Sequence, residues 1–165
     1  MTAPVSTEPL TQSAPTAWHE ALKLLAGCDG HWLATRDADG SPHLVPVLAV
    51  VVDGTVHFTA GPGTRKARNL ARDPRCALGG QSASFEHLVL RGRATIVRDE
   101  AVLRRVADAY ATRYDWHVTV RDGAFQDTEG APTAGPPPYE VYALEPATAF
   151  GFGGDEHLTS TRWRF

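Results

Sequence analysis

The sequence predicts a mainly β fold with flanking helices, arranged as a closed antiparallel barrel with the helices packed outside. Three observations predict it. Two tight-turn signals, Asp39-Gly40 and Asp53-Gly54, join three consecutive apolar segments into a meander. The chain carries 15 Gly and 12 Pro, a usage that suits many short strands better than a helix bundle. Helical character is confined to three segments, and the order helix, three strands, helix, two strands, helix, loop, strand is that of a barrel. The length of 165 residues, with 42% hydrophobic residues, matches one domain with a sizeable core.

Each element follows from its own residues. Met1 to Pro15, with Pro4, Pro9 and Pro15 among Ser and Thr, reads as a flexible tail, and 16–165 as the domain. Thr16 is the expected cap of a helix running to about Ala26, in which Trp18, Leu22 and Leu25 form one apolar stripe. Gly27 and Gly30 end it. His31 to Arg36 reads as a strand, Asp37 to Gly40 as a turn, Pro42 to Val52 as a second strand and Thr55 to Ala60 as a third. Pro42 to Val52 is apolar at almost every position. It is expected to be buried on both faces, as a central barrel strand or one under a subunit contact is, with the ladder open or bulged at Pro46.

Gly61-Pro62-Gly63 interrupts the meander, Thr64 starts a short helix to about Arg72, and Asp73-Pro74 closes it. Arg75 to Gly80 and His87 to Val97 read as strands. In the second, Leu88, Leu90, Gly92, Ala94 and Ile96 face one way, and His87, Val89, Arg91, Arg93 and Thr95 the other. Asp99 caps a helix to about Tyr114 with an expected buried stripe of Val102, Val106, Ala109 and Tyr110. Asp122 to Pro138, rich in Gly and Pro, reads as a long loop. Tyr139 to Phe150 returns as a strand, and the alternation of Thr161, Trp163 and Phe165 against Ser160, Arg162 and Arg164 suggests a docked terminal strand.

Composition narrows the function. A net charge of −3 argues against a general binder of nucleic acid or anionic membrane. The longest apolar run, Leu44 to Val52, is far short of the roughly 20 residues a membrane helix needs. Met1 to Pro15 has no Lys or Arg and no apolar core of a signal peptide, so the expected location is the cytoplasm. Cys28 and Cys76 form no CxxC motif. They read as buried reduced thiols, with a single disulfide as the alternative. The histidines His19, His31, His43, His57, His87, His117 and His157 show no metal-ligand spacing, and no metal site is expected. No GxSxG elbow and no carboxylate pair stands out, so the sequence names no catalytic residue.

Chemistry concentrates in Thr59-Ala60-Gly61-Pro62-Gly63-Thr64-Arg65-Lys66-Ala67-Arg68-Asn69-Leu70. A strand ends, glycines let the backbone approach a ligand, and a helix begins whose first N–H groups favour an anion. Arg65 and Lys66 sit in that first turn, where each cation opposes the helix dipole by roughly 0.3–1 kcal/mol. An anion neutralises both, and the Thr59 and Thr64 hydroxyls add donors. The segment reads as a phosphate cradle. It is not a P-loop, because Gly63 is followed by Thr64-Arg65-Lys66 rather than Lys-Ser/Thr. The plainer alternative is a turn followed by a solvated basic helix. A third reading uses Arg65, Lys66, Arg68, Arg72 and Arg75 as a nucleic-acid patch, but no aromatics are interleaved there. Trp163 between Arg162 and Arg164 offers an indole and guanidinium groups to an aromatic ligand, or else seals the barrel.

A cradle without an acid, base or nucleophile points to a cofactor that carries the chemistry. Taken together, His31-Trp32-Leu33-Ala34-Thr35, Pro42-His43-Leu44-Val45-Pro46-Val47, Phe58 through Leu70 with Asp73-Pro74-Arg75, Arg91-Gly92-Arg93-Ala94, the Gly135 to Tyr139 loop and Thr161-Arg162-Trp163-Arg164-Phe165 resemble the pyridoxamine 5′-phosphate oxidase-like family over about residues 16–165. The resemblance implies a split antiparallel β-barrel of the FMN-binding type and a homodimer with cofactor sites at the subunit interface. It implies FMN or the deazaflavin coenzyme F-420 as cofactor and hydride transfer to or from a small organic substrate. The chain is closer to the short flavin- or deazaflavin-dependent oxidoreductases than to true pyridoxamine-phosphate oxidases. Carried over, the phosphate falls to Thr59, Arg65 and Lys66, with Thr64 and Asn69 beside them. The ring falls to the strand at Pro46 and Val47, and Arg162 and Trp163 approach from the C-terminus. The rival is a non-catalytic flavin or haem binder for storage or sensing, with His43, His57 or His87 as axial ligand.

Overall fold

A computed structural model describes residues 3–82, 86–127, 135–153 and 158–165. The elements are β1 (Ser6–Pro9), α1 (Trp18–Gly27), β2 (Gly30–Arg36), β3 (Pro42–Val47), β4 (Ala49–Val52), β5 (Thr55–Ala60), α2 (Arg65–Arg72), β6 (Arg75–Gln81), β7 (His87–Ile96), α3 (Glu100–Tyr114), β8 (Thr119–Arg121), β9 (Ala124–Gln126), β10 (Glu140–Phe152) and β11 (Thr161–Arg164). The predicted mainly β class with outer helices is what forms.

The barrel closes through one kinked strand. β2 pairs β3 and β6, β6 pairs β7, β7 pairs β10, β10 pairs β5, and β5 pairs β4, all antiparallel. β3 and β4 are consecutive in the chain and separated by Leu48 alone. The expected single strand Pro42 to Val52 is therefore two: its first half pairs β2 and its second half pairs β5. The break falls at Leu48, and Pro46 stays in register opposite Trp32. Pro46 is tolerated because β3 is a sheet edge, where a missing N–H costs no ladder bond on the open side. Burial on both faces holds for Ala49 and Val50 but not for β3, where Leu44 is 60% exposed.

Two apolar clusters explain the layers. Leu33, Val56, Phe58, Leu78, Leu88, Leu90, Tyr142 and Leu144 fill the barrel, closed off by Trp18, Leu22 and Leu25 of α1. Val50 and Val141, on the opposite faces of β4 and β10, pack with Leu103, Val106 and Tyr110 of α3 and with Phe125 and Tyr139. α3 thus covers the outside of the β4–β5–β10 wall. Asp99 caps it as predicted, accepting from the Ala101 and Val102 N–H groups. Its buried stripe is Leu103, Val106, Ala107 and Tyr110, with Val102 and Ala109 only partly covered, because the position of β4 sets the centre of the contact. Between β7 and β10 the backbones close in at a register shift at Pro146–Thr148. A Cβ on Gly92 would lie 2.0 Å from the Glu145 carbonyl oxygen, so only glycine fits.

Several local expectations give way to tertiary pairing. Ser6–Pro9, expected as flexible tail, pairs β11 from Ser6↔Arg164 to Pro9↔Thr161. Thr16 does not cap α1: the N-cap is Ala17 with no side-chain bond. The Thr16 hydroxyl instead accepts from the Thr159 N–H at 2.9 Å and tethers the C-terminal segment. Within the expected loop Asp122 to Pro138, Asp122-Gly123 is a left-handed turn joining β8 to β9; residues 128–134 of that loop lie outside the described residues. Both cysteines are buried and free, and burial pushes the Cys28 thiol up to about 11. No helix among the described residues is long and apolar enough to cross a membrane.

Burial also pushes the His31 and His57 imidazoles below the ordinary histidine range. His31 Nε2–H donates to the Leu25 carbonyl at 3.0 Å, and its buried Nδ1 has no partner among the described residues. The folded state therefore resists the proton that the unfolded chain accepts near pH ~6.5. Stability is expected in full above that pH and to fall as pH drops below it. Urea midpoints at pH 8 and pH 5.5 check this: the midpoint falls while the slope is unchanged. The Asp73 carboxyl is held well below the usual carboxylate range by Arg75, so it does not titrate in that window.

Candidate functional site

The site is the split left where β3 and β5 part company. The β4–β5 ladder ends at Ala49↔Phe58, so Leu48 and Thr59 stand one step beyond the last pair. From there β3 bends away with β2, and the last residues of β5 stay with β10, as Val141↔Thr59 and Glu140↔Ala60. One side of the wedge is the unpaired edge of β3, carrying Pro46 and Val47. The other is Thr59, Ala60 and the Gly61–Thr64 turn. The sequence could not announce this meeting, because it depends on a strand changing neighbours.

α2 spans the wedge. Thr64 is its N-cap: the hydroxyl accepts from the Ala67 N–H at 3.4 Å and donates to the Gly61 carbonyl at 2.8 Å. The Arg65 and Lys66 N–H groups open the helix and have no intrahelical acceptor by construction. Asn69, 2% exposed, bolts the helix to the β2–β3 hairpin through its Nδ2, which donates to Thr35 Oγ1 at 3.1 Å and to Asp37 Oδ1 at 2.8 Å. A cleft of about 500 Å³ lies against the turn, lined by Gly61–Thr64 and by Gly135–Pro138. The proline-rich end of the expected long loop is thus brought to the Gly61–Thr64 turn.

The two first-turn cations differ. Arg65 is exposed and pairs with Asp37 at 3.2 Å. An exposed pair of this kind contributes about 0–1 kcal/mol, so an incoming anion displaces it at little cost. Lys66 is half-buried, burial alone lowers its pKa, and it has no acidic partner among the described residues. An ammonium group kept partly dry and unpaired at a helix N-terminus is a group waiting for an anion.

Of the residues expected at the site, Thr64 lines this cleft, Thr59 lies near the end of β5, Arg65 and Lys66 open α2, and Pro46 and Val47 lie on β3. The remaining expected residues lie elsewhere. Asn69 has the bracing task just described. Trp163 is fully buried in the barrel core, 5.4 Å from the Trp18 ring, with its Nε1–H donating to the Thr16 carbonyl at 3.0 Å. Of its two sequence readings, the seal holds and the ligand contact fails, because strand alternation turns Thr161, Trp163 and Phe165 inward. Arg162 pairs with Glu8 of β1 and lines none of this cleft. Among the histidines, His43 Nδ1 contacts Thr35 Oγ1 at 3.2 Å and His57 is buried with Nδ1–H donating to the Thr55 carbonyl. His87 sits on a separate cleft of about 580 Å³ with Trp32, Gly79 and Gly80, and His157 lies outside the described residues.

Tyr110 is buried as expected, but the hydrogen bonds that it and Tyr114 of α3 make at the kink were missed by sequence reasoning. Their hydroxyls satisfy the backbone at the kink: Tyr110 donates to the Leu48 carbonyl and Tyr114 to the Ala49 carbonyl, both at 2.7 Å. The only signal was two tyrosines one helical turn apart.

The family model described as pyridoxamine 5′-phosphate oxidase matches residues 17–152. No curated protein matches the chain. Among solved structures, a haem-binding protein from Mycobacterium smegmatis aligns with a TM-score of 0.65 at 20% identity, covering 90% of this chain and 58% of that one. The chain therefore spans less than two thirds of that protein. A NimC/NimA family protein from Clostridium acetobutylicum aligns with a TM-score of 0.64 at 15% identity, covering 88% of this chain and 94% of that one. An F-420 reductase aligns with a TM-score of 0.55 at 21% identity, covering 77% and 93%. At these identities the likeness to the three structures is one of fold.

Proposed function

We propose, because the chain belongs to the pyridoxamine 5′-phosphate oxidase family, that it is an oxidoreductase that holds FMN or coenzyme F-420 in the split of its barrel and passes hydride to or from a small organic substrate. The observation that carries this reading is Lys66: half-buried, unpaired among the described residues, and in the first turn of a helix that opens onto the split. Lys66, Arg65 and the N–H groups of that turn take the cofactor phosphate, with the Thr59 hydroxyl beside them. The open edge of β3, which carries Pro46 and Val47, stands beside the ring. When bound, the flavin or deazaflavin supplies the hydride chemistry. The residues of the chain bind, orient and keep water from it.

A homodimer suits the same geometry. Trp32 and Leu44, 52% and 60% exposed, stand on neighbouring strands beside the open β3 edge, at Trp32↔Pro46 and Ala34↔Leu44. An exposed apolar surface at the rim of a half-open cofactor cleft is explained by a second copy that covers both.

Anaerobic titration of the purified protein with FMN, and separately with coenzyme F-420, tests the reading through ligand fluorescence. Micromolar or tighter binding of one of them is expected, and binding of neither sinks it. A second reading, haem binding without turnover, is favoured by the cleft that brings Trp32, a Gly79-Gly80 floor and His87 together, and by the fold shared with a haem-binding protein. A Soret band on haem addition that His87→Ala abolishes would support that reading instead.

A further inference from the structure

Where the β4–β5 ladder stops, something must hold the two strands before they diverge. Leu48 and Thr59 would form the next pair, but no ladder pairing is made there. Tyr110 reaches the Leu48 side of that place. Its hydroxyl donates to the Leu48 carbonyl at 2.7 Å. That bond ties the residue at the kink to α3, which packs with Val50 of β4 and Val141 of β10. One turn further along α3, the Tyr114 hydroxyl donates to the Ala49 carbonyl at 2.7 Å and accepts from the Ala49 N–H at 3.3 Å.

The phenol is fixed in place. Tyr110 is fully buried, and its ring lies 5.3 Å from Trp116, 5.7 Å from Tyr114 and 6.0 Å from Phe125. A side chain locked by aromatic neighbours delivers its hydrogen bond without a rotamer cost. The wedge opens from this point, and its two walls carry different halves of the expected ligand contacts: Pro46 and Val47 on one side, Thr59 and the Lys66 turn on the other. Their separation is set at the apex.

We infer that Tyr110 is the positioning residue of the split: its hydroxyl holds the Leu48 carbonyl against α3 where β3 leaves the β4–β5 ladder, and so sets where the β3 edge stands relative to the wall that carries the Lys66 turn. The inference rests on the proposed cofactor reading and adds to it a group that never touches the ligand. Tyr110→Phe removes the hydroxyl and keeps the ring. Tyr142→Phe is the matched control, since that hydroxyl donates to Glu140 at 3.0 Å, away from the apex.

The test combines FMN and coenzyme F-420 titration, the visible absorption band shape of whichever ligand binds, and amide hydrogen exchange in the cofactor-free protein. Tyr110→Phe is expected to weaken binding about tenfold, to alter the band shape, and to speed exchange at the Leu48 and Ala49 amides about tenfold. Tyr142→Phe is expected to change none of these. Unchanged affinity and band shape in Tyr110→Phe, with a wild type that binds, overturn the inference. A wild type that binds neither ligand removes the cofactor reading instead. Exchange then decides the pin: faster exchange at Leu48 and Ala49 upholds it and unchanged exchange overturns it. If Tyr110→Phe does not fold, Tyr114→Phe, which is half-buried, carries the same measurements with the same expected directions.

Discussion

Replacing Arg65 and Lys66 together by alanine is expected to weaken FMN or coenzyme F-420 binding by at least about a hundredfold, with the fold intact. A hydrogen bond to a charged group contributes about 1.5–3 kcal/mol, and about 1.4 kcal/mol is a factor of ten in affinity, so two such contacts reach that figure. Neither residue belongs to the apolar core. Both cations oppose the α2 dipole, so their removal is expected to leave the thermal midpoint unchanged or slightly higher. The combination of lost binding and kept stability separates a cradle from a solvated basic helix, whose loss would leave affinity alone.

The two residues are expected to contribute unequally. Arg65 shares its charge with Asp37, whereas Lys66 has no acidic partner among the described residues. Lys66→Ala alone is expected to account for most of the loss and Lys66→Arg to restore part of it. Burial holds the Lys66 pKa below the usual lysine value, so its charge disappears as pH rises through that lowered pKa. Cofactor affinity is therefore expected to fall on the alkaline side earlier than an ordinary lysine allows, and this limb is expected to vanish in Lys66→Ala.

Trp163→Ala is expected to cost about 3–5 kcal/mol of stability, a large share of the roughly 5–15 kcal/mol of a typical domain. The side chain is fully buried, packs against Trp18, and donates from Nε1 to the Thr16 carbonyl. Its loss leaves a cavity where α1, β10 and the terminal strand meet, and leaves the Thr16 carbonyl without that donor. Trp163→Phe, which keeps most of the volume, separates stability from binding. Its urea midpoint is expected to fall while cofactor affinity stays at the wild-type value. A drop in affinity as large as the loss of stability would reinstate Trp163 as a ligand contact.

The pattern of successes and misses has a physical basis. Asp53-Gly54 is a turn with φ of 51° and 74°, Asp99 and Thr64 are side-chain caps, and the alternation buries Leu88, Leu90 and Ala94 of β7 and Thr161 and Trp163 of β11, while Ile96 at the end of β7 is exposed. Each of these signals acts within a few residues, where steric limits and local hydrogen bonds decide. Ser6–Pro9 is a strand because β11 offers it an edge across the whole length of the chain. Thr16, a good cap by type, is taken by Thr159. β9 is held by β8 and by a bridge from Phe125 to Tyr139. Such pairings compete with local preference and leave no periodic trace.

The candidate site divides along the same line. The sequence by itself determined the turn, the cap and the charge of the Thr59–Leu70 segment, because a helix N-terminus bearing cations is a local electrostatic object. It also determined that residues 42–52 are extended and apolar. Only the tertiary structure decided that this segment breaks at Leu48, serves β2 with one half and β5 with the other, and so opens the barrel wall at that point. It likewise decided that Asn69 and Trp163 hold the protein together and that Tyr110 sits at the apex. Hydrogen bonds between residues 62 positions apart, such as that of Tyr110 with Leu48, come from chain closure. Closure is a property of the whole barrel and of no segment within it.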